Sequence, residues 1–220
     1  MREWNGLKSH LNRQIVLASA SPRRRELLGL LGLDFVVEDS GVLEETDPAE
    51  SPAESAARLA RQKAEAVTSR FPDALVLGAD TVVVIGREIL GKPVDREDAR
   101  RMLRLLRNRW HFVITGLALI DSKNGKRAVR HVETGVRMAG YSDAEIEDYV
   151  SSDEPLDKAG SYAIQGLGGR LVTRIEGCYT NVVGLPVCEV AEMLREYGVK
   201  AAAAPAPCAD NAGKPCPRLE

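Results

Sequence analysis

ALVLGADTVVVIG, residues 74–86, sets one carboxylate, Asp80, inside an apolar run. Leu75, Val76 and Leu77 precede it, and Val82, Val83, Val84 and Ile85 follow. A run so rich in β-branched residues predicts a strand buried on both faces. A carboxylate withdrawn from water shifts its pKa or finds a cation. The stretch therefore predicts a central strand and asks what Asp80 faces.

Outward from this strand, helix starts alternate with further strand candidates. SPAESAARLARQKAEAV pairs Ser51 as N-cap with Pro52 at the first helical position and Glu54 in a capping box. DREDARRMLRLLRN starts at Asp95 and repeats apolar positions at Ala99, Met102, Leu103 and Leu106; SDAEIEDYV repeats the box with Ser142 and Glu145. A last helix, about Pro186 to Tyr197, ends at Gly198. Strands are expected at Ile15–Ala18, Leu75–Ile85, Phe112–Asp121, Ala128–Met138, Tyr162–Ile164 and Leu171–Ile175. Asn124-Gly125 predicts a type I′ hairpin between the third and fourth. Alternation early and a hairpin later predict an α/β fold: an elongated mixed β-sheet flanked by helices, with two lobes.

The 220 residues divide into an N-terminal extension (1–14), a body (15–199) and an Ala/Pro-rich tail (200–220) expected to be disordered. Thirty Lys plus Arg nearly balance 32 Asp plus Glu, for a net charge of -2. No global field holds such a chain on nucleic acid or an anionic membrane. The aromatic residues, two Trp, five Tyr and three Phe, do not interleave with basic clusters, which argues further against nucleic acid. Cys178, Cys188, Cys208 and Cys216 form no C-x-x-C pair, and with three His no zinc pattern emerges. The N-terminus lacks an apolar signal core, and no stretch reaches the roughly 18 apolar residues that span a bilayer. A soluble, cytoplasmic protein is expected.

IVLASASPRRRELLGLLG runs from a short strand into a helix with Ser21 as N-cap and Pro22 next. Arg23, Arg24 and Arg25 then fall in the first turn, where the helix dipole already presents positive charge. Three cations there are locally unfavourable, and such breaks of a local rule mark functional sites. An anion at this turn reverses the sign, drawing on backbone N–H groups and guanidinium forks. Arg23 and Arg24 are read this way; Arg25 is read as a solvated surface residue.

GADTVV resembles the aspartyl-phosphate loop of haloacid-dehalogenase-type enzymes only faintly, because Val82 stands where a second aspartate is needed. Asp80 fits better as a metal ligand or as a base that activates water. GVLEETD supplies Glu44 and Glu45, which beside Asp80 would offer oxygen ligands for Mg²⁺. Lys63 and Lys92 are weak signals alone. DEPLDKAGSYAIQGLGGRLV adds the cation Lys158, the close-approach glycines Gly166, Gly168 and Gly169, and Gln165, which is suited to reading a base edge.

LASASPRRRELL, LGADTVV, GKP, HFVITG, DEPLDKAGSYAIQGLGG and YTNVVGLP stand in the order of the Maf family of nucleotide pyrophosphatases, which the chain resembles from about Ile15 to Tyr197. The resemblance implies a fold like the inosine-triphosphate pyrophosphatases, a strongly curved mixed sheet with a central cleft between two lobes. It implies hydrolysis of a nucleoside triphosphate to the monophosphate and pyrophosphate, with a divalent cation, Mg²⁺ or Mn²⁺, in a nucleotide-pool house-cleaning role. By position, Asp80 matches the proton acceptor and a metal ligand. Ser19, Arg23, Lys63 and Lys92 match polyphosphate contacts, with Lys158 alongside. Glu44 matches the loop carboxylate that holds metal, with Glu45 as the alternative. Arg24, Thr81 and Gln165 match the base-selecting residues of the branch acting on dTTP and UTP, with other or modified pyrimidine nucleotides as further candidates. A homodimer is compatible with the resemblance. Two departures stand out: Asn108 where glycine is common before HFVITG, and Ala163 where glycine is common before Ile164-Gln165. Rival readings are a phosphatase that releases orthophosphate and a non-catalytic nucleotide-binding regulator of cell division.

Overall fold

The computed structural model describes residues 13–45, 47 and 49–201. Nearly all of the N-terminal extension and of the tail, with Cys208 and Cys216, lies outside the described residues. Seven strands, β1 (Ile15–Ala18), β2 (Phe35–Glu38), β3 (Leu75–Ile85), β4 (Glu88–Leu90), β5 (Trp110–Asp121), β6 (Arg127–Met138) and β7 (Val172–Glu176), form one sheet. Its order is β2-β1-β3-β5-β6-β7, with β4 added beside β3. The helices are α1 (Pro22–Gly29), α2 (Pro52–Thr68), α3 (Arg96–Leu106), α4 (Asp143–Ser151), α5 (Tyr179–Val183) and α6 (Val187–Glu196). β1 runs parallel to β2 and β3, and the remaining pairings are antiparallel. The expected mixed sheet flanked by helices is what forms. None of these helices is long and apolar enough to cross a membrane.

The capping signals act as read. Ser51 Oγ accepts from Glu54 N at 3.3 Å while Ser51 N donates to Glu54 Oε2 at 2.8 Å, and Ser142 with Glu145 does the same on α4. α1 starts with Ser21 Oγ accepting from Arg24 N at 3.4 Å. Asn108 adopts φ 54°, the left-handed conformation that Asn tolerates in place of glycine.

Several expectations are corrected. Asn124-Gly125 does not form a type I′ turn, which requires positive φ at both residues, because only Gly125 has it. The connection is longer, with Gly125 N donating to Asp121 O and Asn124 Oδ1 accepting from Lys126 N, each at 2.8 Å. Tyr162–Ile164 is not a strand. Gly160 (φ 68°) and Ser161 (φ 58°) bend the chain just before it, and Ala163 N donates to Tyr149 Oη instead of a ladder. β2, β4 and α5, of four, three and five residues, lie outside the expected elements.

β3 organises the interior. Its even-numbered side chains face α2, where Val16, Ala60, Ala64, Val76 and Ala118 share one core. Its odd-numbered side chains enter two other cores on the opposite face. Leu75, Leu77 and Ala79 pack with α1 and α6, whereas Val83 and Ile85 pack with α3 and α4. Thr81 falls at the seam between them. The strand edges coincide with this seam: β1 pairs with β3 only as far as Gly78, and β4 begins only at Val83. One edge of Ala79–Val82 thus has no strand partner among the described residues, and the sheet opens there.

Helix α2 lies close on this sheet because two positions lack a side chain. A Cβ on Gly78 would come within 2.1 Å of Ala60 O, and one on Gly116 within 2.2 Å of the Ala56 carbonyl. Both obstacles are backbone, so the helix itself would have to move. Gly116→Ala is expected to cost at least about 1–3 kcal/mol. Gly29→Ala, whose Cβ meets nothing within 4 Å, should be neutral or stabilising by up to about 1 kcal/mol. Urea-denaturation midpoints of the two variants check this contrast.

Candidate active site

The gap in the sheet opens into a cavity of about 580 Å³. Its wall is built from Ser19 of the β1–α1 turn, Arg23 and Arg24 in the first turn of α1, the β2–α2 loop (Asp39, Glu44), Lys63 of α2, Asp80 and Thr81 of β3, and Lys92 and Lys158 from the loops after β4 and α4. Strand, small-residue turn and helix start therefore deliver two arginines to the cavity that the Asp80 carboxylate of β3 lines. The reading of Arg25 as a surface residue agrees with its absence from this wall.

Asp80 is buried, and its partner is Lys63. Lys63 Nζ donates to Asp80 Oδ1 at 2.6 Å and to Glu44 Oε1 at 2.6 Å. The glycine at position 78 makes this reach possible, since it lets the α2 turn carrying Lys63 settle beside Asp80. Desolvation pushes the Glu44 carboxyl upward, but the hydrogen bond and charge of Lys63, with Lys92 and Arg24 behind it, hold it below the usual glutamate range. Glu45 lies outside the wall. Its carbonyl accepts from Arg58 Nη2 at 3.0 Å, while Arg58 Nε also grips Glu50 at 2.7 Å. Arg58, which was not singled out from sequence, thus fastens the loop that presents Glu44.

Arg24 is fixed at three points. Nε donates to Gly184 O at 3.0 Å, Nη2 to Thr81 Oγ1 at 3.0 Å and Nη1 to Ser19 Oγ at 3.4 Å. Burial lowers its pKa from the usual arginine value, with Asp80 and Glu44 opposing the shift. Thr81 Oγ1 also meets Thr115 Oγ1 at 2.9 Å. Arg23 faces the cavity with no ion pair among the described residues, and desolvation lowers its pKa despite Glu154 and Tyr149 nearby. Lys92 likewise has no ion pair there, whereas Lys158 pairs with Asp157.

Among the expected site residues, Glu45 and the glycines Gly166, Gly168 and Gly169 are not brought to the wall, and neither is Gln165. It is exposed, with extended backbone, at the entry to the 3₁₀ turn Gly166–Leu171. That turn is anchored by Glu154, whose carboxylate accepts from Leu167 N at 3.1 Å, Gly168 N at 3.0 Å and Tyr149 Oη at 3.0 Å. A Cβ on Gly166 would meet Glu154 Oε2 at 2.6 Å, and its φ is 80°. The positive φ favours glycine here, and a Cβ would also press on the Glu154 carboxylate that anchors the turn. Glu154 was missed in the sequence because an acidic residue in a polar loop gives no periodic or spacing signal.

Glu44 and Asp80 are suited to a divalent cation. Their oxygens already converge on one positive nitrogen, and carboxylate oxygens are the donors that Mg²⁺ and Mn²⁺ prefer. Among the described residues no group of three or more His, Cys, Asp or Glu is placed to hold a metal. The remaining ligands would have to be phosphate and water, as is common for Mg²⁺.

Tyr162 lines the cavity above a buried histidine. Its hydroxyl lies 2.7 Å from His111 Nε2, and burial pushes the imidazole pKa down to about 4. The unfolded chain, with an ordinary histidine near 6.5, binds that proton first, so stability is complete above pH 6.5 and falls as pH drops toward 4. The loss amounts to about 3 kcal/mol. His111→Gln, which does not titrate, should show a correspondingly smaller loss when unfolding free energies of both proteins are followed from pH 7 to pH 4.

The chain is similar to known proteins over most of its length. The Maf-like protein family matches residues 14–197. A dTTP/UTP pyrophosphatase of Syntrophus aciditrophicus is 50% identical over 86% of this chain and 92% of its own. One of Geobacter sulfurreducens is 52% identical over 84% of this chain and 97% of its own. Among solved structures, the Staphylococcus aureus Ham1 protein aligns with a TM-score of 0.44 at 16% identity, over 73% of this chain and 80% of its own. The family match and the two relatives span nearly the whole described body, and the chain belongs to the Maf-like family.

Proposed function

We propose that the protein hydrolyses nucleoside triphosphates, dTTP and UTP first among them, to the monophosphate and pyrophosphate. The observation that carries this reading is a buried carboxylate, Asp80, opening through a gap in the sheet onto a cavity walled by Arg23, Arg24, Lys63 and Lys92. The names of the relatives support the choice of nucleotide.

A triphosphate resists nucleophiles because its own charge repels them. Arg23 and Lys92, which have no ion pair among the described residues, would grip the polyphosphate and gain strength as charge builds on the departing pyrophosphate. Asp80, whose Oδ1 is the atom that Lys63 contacts in the nucleotide-free protein, offers Oδ2 to orient a water and accept its proton in line with the leaving group. Glu44 and Asp80 would hold the divalent cation, whose charge offsets that of the phosphates when it is bound. Arg24 and Thr81, locked to each other and to the Gly184 carbonyl, form a fixed donor set against which a base is selected. Gln165 is proposed as the third selecting residue, presented on the Glu154-anchored turn. The nucleotide-pool role follows from this chemistry, and the compartment proposed for it is the cytoplasm.

A panel of nucleoside triphosphates with Mg²⁺, reading monophosphate, pyrophosphate and orthophosphate separately, tests the proposal. Release of pyrophosphate supports it; release of orthophosphate alone, or no turnover, overturns it. Asp80→Asn is expected to lower kcat about 10²–10⁴-fold. Arg24→Ala should change the ratio of kcat/KM for dTTP to that for CTP, and an unchanged ratio would remove Arg24 from base selection.

A further inference from the structure

Lys63 differs from Arg23 and Lys92 in where its charge is spent. Arg23 and Lys92 face the open space with no ion pair among the described residues, whereas Lys63 Nζ sits 2.6 Å from Glu44 Oε1 and 2.6 Å from Asp80 Oδ1. Its side chain and that of Asp80 are only 7% and 6% exposed. Two carboxylates brought to one partner, one of them buried, repel each other unless a cation lies between them. The ammonium supplies that cation from within the chain, and Gly78 under α2 puts it within reach.

We infer that Lys63 is an exchangeable stand-in for the divalent cation, occupying the Glu44–Asp80 position in the nucleotide-free protein and leaving it when the metal enters. The inference rests on the reading of Glu44 and Asp80 as metal ligands. A nitrogen in contact with both carboxylates and a metal ion bound between them cannot share one position. Displacement frees three N–H donors at the edge of the cavity, where the polyphosphate would lie. Metal entry then creates a phosphate contact, so each of the two ligands favours the other by linkage.

The test is Mn²⁺ binding to the nucleotide-free protein, followed by electron paramagnetic resonance and calorimetry. Without nucleotide, a lysine that serves only as a phosphate contact has little influence on metal affinity. Lys63→Met is expected to bind Mn²⁺ at least tenfold more tightly than the parent protein. Lys92→Met, which removes a nearby charge that touches neither carboxylate, should change the affinity less than threefold. Lys63→Met should also melt at a lower temperature in chelator and regain most of the loss in saturating Mn²⁺. Adding Glu44→Gln to Lys63→Met should abolish the gain in affinity. If Lys63→Met does not fold, Lys63→Gln serves, because it removes the charge but keeps a donor for one carboxylate. Affinity unchanged or weakened by loss of Lys63, or raised equally by loss of Lys92, overturns the inference while leaving the metal site standing. Absence of Mn²⁺ binding in both the parent and the variant overturns the metal reading and the inference together.

Discussion

A charged carboxylate in the middle of a strand buried on both faces is costly unless a partner meets it. For Asp80 that partner is Lys63, held 2.6 Å away on a helix that two glycines allow to lie close on the sheet. Removing one partner of such a buried pair typically costs about 3–5 kcal/mol, because the other charge is left uncompensated. The position of α2, the smallness of residues 78 and 116, and the placement of the β2–α2 loop are all tied to this contact. Glu44 joins it from that loop, so the pair is the point where core packing becomes chemistry.

The second constraint is the interruption of the sheet. β1 leaves β3 at Gly78 and β4 joins only at Val83, which bares the backbone edge between them. Two separate apolar cores cover the same face of β3 on either side of Thr81. A crevice at such a break in strand order is a recurrent ligand-binding position in open α/β sheets. Here the α1 N-terminus adds its backbone N–H groups and an arginine pair. Arg24 directs three of its five N–H donors into the protein, while Arg23 keeps its charge for the cavity. Two neighbouring arginines thus take unlike environments, because α1 turns one under Gly184 and the other outward.

Much of the architecture is legible in local sequence because its signals are local. The capping boxes at Ser51 and Ser142, the Ser21-Pro22 start and the long apolar strands each depend on residues within one or two turns. What escaped depends on contacts distant in the chain or on very short elements. β2 carries half-exposed Val36 and Val37 and is a strand only because β1 lies beside it. Tyr162 looks β-like by composition, yet two preceding positive-φ residues and the hydroxyl contact with His111 hold it out of the sheet. Arg58 and Glu154 fasten site loops through partners 8 to 14 residues away, which no periodicity marks.

By itself the sequence determined that Asp80 lies in a buried central strand, that a Ser-Pro helix start concentrates arginines, and that six motifs in order place the chain near one family. The first two follow from short-range propensity and from the cost of burying charge, both of which are written residue by residue; the third is a resemblance of motifs. Tertiary structure alone decided that Lys63, 17 residues from Asp80, pairs with it and that Gln165 stands outside the cavity wall; it also brought Glu44, the loop carboxylate that the resemblance favours, to that pair. The reason is geometric. Which charges meet depends on how closely α2 approaches β3 and on where neighbouring strands stop, and those distances are set by packing across the whole sheet.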